Sequence, residues 1–332
     1  MALKIAINGF GRIGRSVARI ITKRDDLELT CVNDTAQRDT TRQLFKYDSV
    51  HGVYDGAVEV LEGDYMQMGT SKVKMFQTRD PKELNFADYG VDVVLECTGA
   101  FLTTEKAQAF VDNGIKKVIM SAPAKDDTPT FVIGVNEDKY DNQAIISNAS
   151  CTTNCLGPIA KILDDAFGIQ KGLMTTVHAY TNGQSLIDSK GARDPRRARA
   201  AAVNIIPTTT GAAKAIGLVL PQLQGKLHGQ SVRVPVPNVS MVDLNVLVGK
   251  QTSVEEINAL FKAKAEGELK GLLGFDIEKR VSQDFQGSAY SSFVAADLTQ
   301  VICGDMVKVM SWYDNEWGYS SRLIDMALHV SK

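Results

Sequence analysis

Gly9-Phe10-Gly11-Arg12-Ile13-Gly14 has the spacing G-x-G-x-x-G, and it decides the fold of the first half of the chain. It follows an apolar run over Lys4–Ile7 that predicts a strand, and it opens a run over Gly14–Thr22 whose apolar residues have helical spacing. In this context the glycines permit a tight turn, a close approach of backbone to a pyrophosphate, and close helix–strand packing. The free N–H groups of a helix N-terminus favour the anion. A glycine turn without a ligand is the alternative for the motif alone.

The residues after this motif continue the pattern of a dinucleotide-binding unit. Asp34 follows a second predicted strand, Leu27–Asn33, where a carboxylate accepts hydrogen bonds from a ribose diol. The spacing predicts a helix over Thr104–Asn113, ended by Gly114. Further strands are predicted over Val91–Cys97, Lys117–Ser121 and Ala144–Ser147. Strands that alternate with helices indicate a doubly wound parallel sheet of Rossmann type.

The second half of the chain has a different pattern. Longer strands are predicted over Ser231–Pro235, Met241–Val248 and Val307–Tyr313, with a helix at about Ser253–Glu266. This pattern favours an α+β domain with a mostly antiparallel sheet. We therefore expect a nucleotide-binding domain over residues 1–150 and a catalytic domain over residues 151–317.

Composition excludes several classes of function. The chain has 332 residues, with 37 Lys and Arg against 39 Asp and Glu, so its formal net charge is −2. This balance gives no electrostatic reason to expect a nucleic-acid or membrane partner. The five cysteines are odd in number and widely spaced, which is not typical of a disulfide framework. We expect a reducing, cytoplasmic compartment.

Cys151 is the candidate nucleophile. It lies in a Ser/Thr/Asn-rich stretch before an apolar run, which predicts that a helix starts there. The N–H groups and dipole of a helix N-terminus stabilise a thiolate. Cys155 lies one turn deeper and is expected to be a packing residue. A Cys-x-x-x-Cys metal site is not expected, because no second Cys/His pair has ligand spacing. An inert buried cysteine is the remaining alternative for Cys151.

His178 is the candidate base. It ends a strand-like run, Met174–Val177, and could reach a helix N-terminus from there. Spacing alone leaves a structural histidine as the more common alternative.

Taken together, these stretches resemble the family of phosphorylating glyceraldehyde-3-phosphate dehydrogenases along the whole chain. The matching segments are Ile7–Arg15, Lys46–Gly52, Ser147–Cys155, His178–Thr181, Asn204–Lys214 and Ser311–Tyr319. The resemblance implies that Cys151 adds to the aldehyde of glyceraldehyde 3-phosphate, with His178 as base. Hydride then passes to a nicotinamide cofactor, and inorganic phosphate attacks the resulting thioester. It also implies that the helix of residues 318–332 packs back on the nucleotide-binding domain.

The resemblance further implies two anion subsites. Thr181 and Arg233 match the residues that hold the C3 phosphate of the substrate. Other residues match, or lie beside, those that hold the attacking phosphate in the family: Ser150, Thr152, Arg197, Thr210 and Gly211. For Arg199 we favour a solvated charge cluster.

Cofactor contacts are also carried over from the family. Asn315 matches the side chain that orients the nicotinamide carboxamide. The other matching positions in the cofactor cleft are Gly9, Phe10, Gly11, Arg12, Ile13, Gly14, Asp34, Thr35, Arg79, Thr98 and Ser121.

Departures from the family pattern concern cofactor choice. Asp34 is retained and favours NAD, because a carboxylate repels a 2′-phosphate. Thr35 follows it, Arg38 lies just beyond, and Ser189-Lys190 stands where many NAD-dependent members have a dipeptide ending in proline. We therefore predict that NAD is used and that NADP is also accepted. Gly183 stands where an acid is common, and the sign of its effect is not predicted.

Assembly and rival functions complete the expectations. The polar stretch Thr181–Ala202 is long and irregular, which is typical of functional loops. By resemblance it lines the cofactor site of a neighbouring subunit, so a homotetramer is expected. Two alternatives stay open: an erythrose-4-phosphate dehydrogenase, which releases its thioester to water, and a pure binding role that would survive loss of Cys151. The retained phosphate-subsite residues favour the phosphorylating enzyme, in glycolysis or gluconeogenesis.

Overall fold

The protein is described by a computed structural model that covers residues 2–190 and 194–332. The chain divides into two compact units. The first comprises the residues up to Ile133 together with Glu137–Ser150 and Ser320–Lys332. The second comprises Gly134–Asn136 and Cys151–Tyr319.

The first unit is built on an eight-stranded sheet with the order β10-β9-β8-β1-β2-β7-β6-β5. In chain order its elements are β1 (Leu3–Asn8), α1 (Arg12–Ile21), β2 (Leu27–Asn33), α2 (Arg38–Lys46), β3 (Tyr47–Asp48), β4 (Gly52–Val53), β5 (Val58–Leu61), β6 (Tyr65–Met68), β7 (Ser71–Phe76), β8 (Val93–Glu96), α3 (Thr104–Asp112), β9 (Lys117–Met120) and β10 (Ile145–Ser147). The pairs from β10 to β7 are parallel, whereas β7, β6 and β5 pair antiparallel. Strands β3 and β4 form a separate hairpin.

Strand β1 is central in this sheet, and its sequence explains why. Ile5, Ala6 and Ile7 are all fully buried, as expected for a parallel strand covered on both faces. The register places Asn8 opposite Asn33 of β2 on one side and opposite Glu96 of β8 on the other. Three polar side chains therefore meet at the carboxyl edge of the sheet, where ligands bind in this class of fold.

The second unit is built on another sheet, with the order β12-β13-β11-β14-β18-β16-β15 and with β17 paired to β18. Its elements are α4 (Cys151–Phe167), β11 (Ile169–Ala179), β12 (Ile206–Thr209), α5 (Ala212–Val219), β13 (Leu227–Val234), β14 (Ser240–Val248), α6 (Val254–Glu266), β15 (Leu273–Asp276), β16 (Ser292–Ala295), β17 (Gln300–Ile302) and β18 (Met306–Tyr313). The pairs β11–β13 and β15–β16 are parallel, and the other pairs of this sheet are antiparallel. The predicted fold class, a Rossmann-type sheet plus a mostly antiparallel α+β unit, is confirmed.

Helix α4 supplies much of the core of the second unit. Leu156, Ile159 and Leu163 are fully buried, at the spacing of one helix face. The helix packs against the strands β14, β16 and β18, among other elements. Burial of this face fixes the helix and so fixes the position of Cys151 at its first residue.

The last helix, α7 (Trp317–Val330), lies mostly within the first unit. Two contacts of that unit hold its end: the Tyr140 hydroxyl donates to the carbonyl of Val330 at 3.5 Å, and the His329 Nε2 lies 3.0 Å from the carbonyl of Glu137. Across residues 2–190 and 194–332, no helix is both long and apolar enough to span a bilayer.

Candidate functional site

The glycine loop of the first unit requires glycine at two of its three glycine positions, Gly9 and Gly14. Gly9 has a φ of +96°, and a Cβ there would lie 2.6 Å from the backbone nitrogen of Thr98. A Cβ on Gly14 would lie 2.2 Å from the carbonyl oxygen of Gly9, so α1 sits directly against the loop. At Gly11 a Cβ would meet nothing within 4 Å. The backbone at the start of α1 is thus open to a ligand.

Asp34 is fixed by the backbone at the end of β2. Its Oδ2 accepts the N–H of Phe10 at 2.7 Å, and its Oδ1 accepts the N–H of Ala36 at 2.8 Å. The carboxylate therefore bridges the glycine loop and the turn that leads to α2. Each oxygen retains acceptor capacity for a ribose hydroxyl.

A cavity of about 440 Å³ joins these features. The predicted cofactor residues that line it are Gly9, Gly11, Asp34, Thr35, Arg79 and Thr98. Its volume, the open backbone at Gly11 and the fixed carboxylate suit an adenosine nucleotide. The residues present therefore fit a dinucleotide cofactor.

Other predicted cofactor residues support this cavity from outside it. The Phe10 ring is buried, and its centroid lies 5.8 Å from that of Phe45. The Arg12 guanidinium pairs with Asp48. Ile13, Gly14 and Ser121 also lie outside the lining of the cavity. Phe10, the second residue of the motif, contributes through its backbone N–H, which donates to the Asp34 carboxylate.

A buried polar network at the carboxyl edge of the first sheet was missed by the sequence analysis. Asn8 Nδ2 donates to Glu96, and Asn33 Nδ2 donates to the Oδ1 of Asn8 at 2.7 Å. Glu96 also accepts the N–H of Thr98 at 2.8 Å. Burial raises the pKa of Glu96 to about 7, against the hydrogen bonds from Thr98 and Asn8 that favour its charged form. A glutamate at the end of an otherwise apolar strand, Val93–Glu96, was the only signal available.

In the second unit, the structure brings Cys151 and His178 together. Cys151 is the first residue of α4, as predicted, and His178 is the second-last residue of β11. The Cys151 Sγ lies 3.7 Å from the Nε2 of His178. This is within the range of a sulfur hydrogen bond, and it is the arrangement of a nucleophile and its base.

The other side of the His178 ring is held by backbone and by a cation. Its Nδ1 lies 2.7 Å from the carbonyl of Ala179 and 2.7 Å from the Nη1 of Arg233. Burial lowers the pKa of His178 to about 3, and the charge of Arg233 acts in the same direction. The imidazole is therefore neutral at physiological pH, which is the form that accepts a proton.

The predicted stabilisation of the Cys151 thiolate is outweighed in this structure. Burial raises the pKa of the Cys151 thiol, while Arg233 and the hydrogen bonds of Thr152 oppose the rise. The sequence indicates that Cys151 begins a helix, but it does not show how deeply the thiol is buried. Cys155 is fully buried, with its Sγ 3.3 Å from the Oγ of Ser292, and its prediction as a packing residue is confirmed.

Tyr313 is a further residue of this site that sequence reasoning missed. Its hydroxyl lies 2.8 Å from the Oγ1 of Thr152 and 2.8 Å from the Oγ1 of Thr176. Its ring meets the His178 ring edge to face, with centroids 6.0 Å apart. Tyr313 thus braces the residue after Cys151 and the strand that carries His178.

The predicted phosphate residues of the second unit are held in several ways. The Nε of Arg197 donates to the Oγ1 of Thr208 at 3.0 Å, so its guanidinium is anchored near β12. The Oγ1 of Thr210 accepts the N–H of Ala212 at 3.2 Å at the start of α5, where Gly211 is exposed. Thr181 is also exposed. The hydroxyl of Thr152 is occupied by Tyr313 within the core, which does not favour a direct phosphate contact.

Three further predicted residues are placed as follows. Ser150 directly precedes α4. Asn315 follows β18, and its Oδ1 accepts the Ser240 hydroxyl at 2.7 Å. Lys190 is exposed.

Residues 191–193 of the predicted loop lie outside the described part of the chain. The arms of that loop bond to each other, with the Ser189 N–H donating to the carbonyl of Ala198 at 2.9 Å.

A glycine-loop nucleotide fold in one unit and a paired cysteine and histidine in the other define a class. The class is that of dehydrogenases that bind a dinucleotide cofactor.

Comparison with known proteins identifies the family within this class. The family model described as "Glyceraldehyde 3-phosphate dehydrogenase, NAD binding domain" matches residues 3–104. The model described as "Glyceraldehyde 3-phosphate dehydrogenase, C-terminal domain" matches residues 150–315. The chain is 54% identical to glyceraldehyde-3-phosphate dehydrogenase of Geobacillus stearothermophilus, covering 100% of this chain and 99% of that one. It is 51% identical to glyceraldehyde-3-phosphate dehydrogenase A of Escherichia coli (strain K12), covering 100% of both chains. The chain belongs to the glyceraldehyde-3-phosphate dehydrogenase family, as the sequence resemblance predicted.

Proposed function

We propose that this protein oxidises glyceraldehyde 3-phosphate with inorganic phosphate to 1,3-bisphosphoglycerate, through a thioester on Cys151. The observation that carries the proposal is the 3.7 Å separation of the Cys151 Sγ and the His178 Nε2, in a chain of this family. We assign the nucleotide-binding domain to residues 1–150 with the helix of residues 318–332, and the catalytic domain to residues 151–317. The pathway implied is glycolysis or gluconeogenesis, in the cytoplasm.

The first step forms a bond between sulfur and the aldehyde carbon. His178 Nε2 accepts the thiol proton of Cys151 as the sulfur adds to the carbonyl and then passes it to the alkoxide oxygen, which gives a hemithioacetal and a neutral imidazole. The neutral state of His178 suits this role, because burial and Arg233 disfavour its protonated form before the substrate arrives. The Cys151 N–H at the start of α4 and the His178 ring stabilise the negative charge on oxygen.

The second step oxidises the hemithioacetal carbon to the thioester level. A nicotinamide cofactor held by the glycine loop and Asp34 would supply the acceptor for the hydride that leaves this carbon. His178 takes the hydroxyl proton, so the C–O bond becomes a carbonyl and the carbon stays bonded to sulfur. Asn315, held by Ser240, would orient the carboxamide of the cofactor. The residues Gly9, Gly11, Asp34 and Thr98 line the cavity that would hold its adenosine part.

The third step transfers the acyl group. An oxygen of inorganic phosphate attacks the thioester carbon, and the bond to the Cys151 sulfur breaks with the electron pair on sulfur. We assign Ser150, Arg197, Thr210 and Gly211 to this phosphate, and Thr181 with Arg233 to the C3 phosphate. Guanidinium groups suit phosphate oxygens, and Arg197 is already anchored by Thr208.

For the cofactor, we propose that NAD is used and that NADP is also accepted. Asp34 favours a ribose diol, because it accepts hydrogen bonds but repels a phosphate. Thr35 and Arg79, which line the same cavity, and the exposed Lys190 are the groups that would tolerate a 2′-phosphate. Steady-state kinetics with each cofactor test this: we expect measurable turnover with both, and an NADP rate equal to background would contradict it.

The assembly we propose is a homotetramer. Exposed apolar side chains support it, because clusters of them mark protein interfaces. Leu186 and Ile187 are 83% and 75% exposed, and Val203 and Ile205 are 76% and 71% exposed. Light scattering tests the state of the full chain. We expect four times the 36.1 kDa of one chain, and a monomer would contradict the proposal.

Phosphate dependence tests the reaction itself. With glyceraldehyde 3-phosphate and NAD, we expect turnover to rise with inorganic phosphate and to fall to a slow rate without it. An erythrose-4-phosphate dehydrogenase would instead turn over its own substrate at a rate independent of phosphate. A Cys151→Ser variant that kept full turnover would contradict the thiol mechanism.

A further inference from the structure

A second cavity lies beside Asp34 in the first unit, apart from the glycine-loop cavity. It has a volume of about 390 Å³. Asp34 lines both cavities and is therefore part of the wall they share. Among the described residues, the charged ones that line this second cavity are Asp34, Arg38, Asp64 and Lys74. Two carboxylates and two cations make its formal charge zero.

Both cations are directed to Asp64. The Arg38 guanidinium, on α2, pairs with the Oδ1 of Asp64. The Lys74 Nζ, on β7, lies 3.7 Å from the Oδ2 of the same carboxylate and donates to the carbonyl of Gly63 at 3.2 Å. Asp34 takes no part in these pairs, because its two oxygens accept the N–H groups of Phe10 and Ala36. Asp64 thus compensates the cations that face this cavity.

These ion pairs are open to rearrangement. The side chains of Arg38 and Asp64 are 38% and 53% exposed, and exposed pairs of this kind contribute little to stability. A phosphate group beside Asp34 would compete with Asp64 for Arg38, because guanidinium binds phosphate in a bidentate manner. In the wild-type protein, a phosphate group must therefore displace the Asp64 carboxylate before it can bind Arg38.

We propose that Asp64 is a determinant of cofactor choice: by holding Arg38 and Lys74, it weakens the binding of a nucleotide 2′-phosphate in the cavity beside Asp34. The inference rests on the proposed nucleotide-binding role of Asp34 and deepens it. With Asp64 neutralised, the cavity would carry a net positive charge, and Arg38 and Lys74 would be available to a 2′-phosphate. Asp34 would still disfavour the phosphate, so the change is one of preference and not of absolute specificity.

The substitution that tests this is Asp64→Asn. Asp64 has a φ of +64°, a conformation that asparagine adopts readily, so the backbone is retained. Asp64→Gly satisfies the same φ and serves as the second variant if the first does not fold. Asp55→Asn is the matched control, since Asp55 is also an exposed carboxylate of the first unit paired with a lysine, Lys23, at 3.1 Å.

The measurement is calorimetric binding of adenosine 2′,5′-bisphosphate and of adenosine 5′-monophosphate to the full-length variants. For Asp64→Asn we expect roughly five- to tenfold tighter binding of the bisphosphate, with the monophosphate unchanged. Arg38→Gln in the Asp64→Asn background should remove the gain, and Asp55→Asn should show none. Equal bisphosphate affinities in wild type, Asp64→Asn and Asp64→Gly would overturn the inference.

A parallel kinetic assay separates this inference from the proposed function. Wild type with NAD and glyceraldehyde 3-phosphate must show turnover if the proposed function is right. If wild type turns over with NAD but Asp64→Asn leaves the NADP-to-NAD ratio of kcat/KM unchanged, the role of Asp64 is contradicted and the proposed function is not. A rise of that ratio by the same five- to tenfold would support it.

Discussion

The Nη1 of Arg233 lies 2.7 Å from the Nδ1 of His178. The register of two parallel strands produces this contact, because β11 and β13 pair with His178 directly opposite Arg233. The same Nη1 donates to the carbonyl of Ala179 at 2.8 Å, and the Nδ1 of His178 lies 2.7 Å from that carbonyl oxygen. The positive charge lowers the pKa of His178, after burial, and it also favours the thiolate of Cys151.

This relationship predicts the reactivity of the thiol. Replacing Arg233 by Gln should slow alkylation of Cys151 by iodoacetamide at pH 7, by roughly three- to tenfold. The physical reason is that loss of the cation raises the pKa of Cys151 and lowers the thiolate fraction. Iodoacetamide is neutral and carries no phosphate, so the assay does not depend on the proposed phosphate subsite.

The matched control for this prediction is Arg199→Gln. The Arg199 side chain is 60% exposed and pairs with Asp188 at 2.8 Å, as expected for a surface charge cluster. It should leave the alkylation rate at the wild-type value. An Arg233→Gln variant that is alkylated as fast as wild type from pH 6 to 9 would show that the cation does not act on the thiol.

Removing the hydroxyl of Tyr313 should destabilise the second unit. In Tyr313→Phe the buried hydroxyls of Thr152 and Thr176 each lose a partner, at a cost of about 1–3 kcal/mol. Chemical denaturation, followed by circular dichroism, should show the loss as a lower midpoint. Tyr47→Phe, at a position 56% exposed, should leave the midpoint unchanged. Equal midpoints for both variants would contradict the bracing role of Tyr313.

Much of the fold follows from local sequence, whereas the site depends on pairing between distant segments. Strand β2 is predicted with its observed bounds, Leu27–Asn33, because Leu27, Leu29 and Cys31 alternate with polar residues at the spacing of a strand. Helix α2 was not predicted, because Thr41 and Phe45 are its buried residues and its other positions are mostly polar. Periodicity gives no signal for such a helix.

The site shows the same division. Cys151 at a helix start could be read from the Ser/Thr/Asn cluster before an apolar run. Its approach to His178 could not, since it depends on how α4 packs against the sheet that contains β11. The contact of Arg233 with His178 depends on a parallel pairing within a mostly antiparallel sheet, which the sequence pattern did not indicate.

Ser240 should act on the cofactor through Asn315. The hydroxyl of Ser240 donates to the Oδ1 of Asn315 at 2.7 Å and accepts the N–H of Ala179 at 3.0 Å. In Ser240→Ala we expect the KM for NAD to rise about three- to tenfold, because Asn315 is no longer held for the carboxamide. The split between KM and kcat distinguishes this from a general loss of structure.

Ser231→Ala provides the control for this substitution. Ser231 is a buried serine of the same sheet, and within residues 2–190 and 194–332 its hydroxyl has no hydrogen-bond partner. Its KM for NAD should match that of wild type. A Ser240→Ala enzyme with an unchanged KM would contradict the orienting role of Asn315.

Glu96 should make stability depend on pH near neutrality. Burial raises its folded-state pKa from 4.5 to about 7, so the folded state binds a proton that the unfolded state has lost. The stabilisation from this group is complete below pH 4.5 and is lost as pH rises through 7, by up to about 3 kcal/mol. Glu96→Gln should flatten the pH dependence of the unfolding midpoint between pH 5 and 8.

An exposed glutamate of the first unit provides the comparison. Glu59→Gln should keep the wild-type pH dependence of the midpoint, because Glu59 is solvated. If Glu96→Gln also kept it, the carboxyl would be ionised throughout this range and the argument from burial would be wrong.

The most direct test of the central claim is a single turnover without phosphate. Wild-type protein is mixed with glyceraldehyde 3-phosphate and NAD, NADH absorbance is followed, and the quenched protein is analysed by peptide mass spectrometry. We expect a burst of about one NADH per active chain, an acyl group on the Cys151 peptide, and continued turnover only after inorganic phosphate is added. Turnover that continues at the same rate without phosphate, or a burst that survives Cys151→Ser, would contradict it.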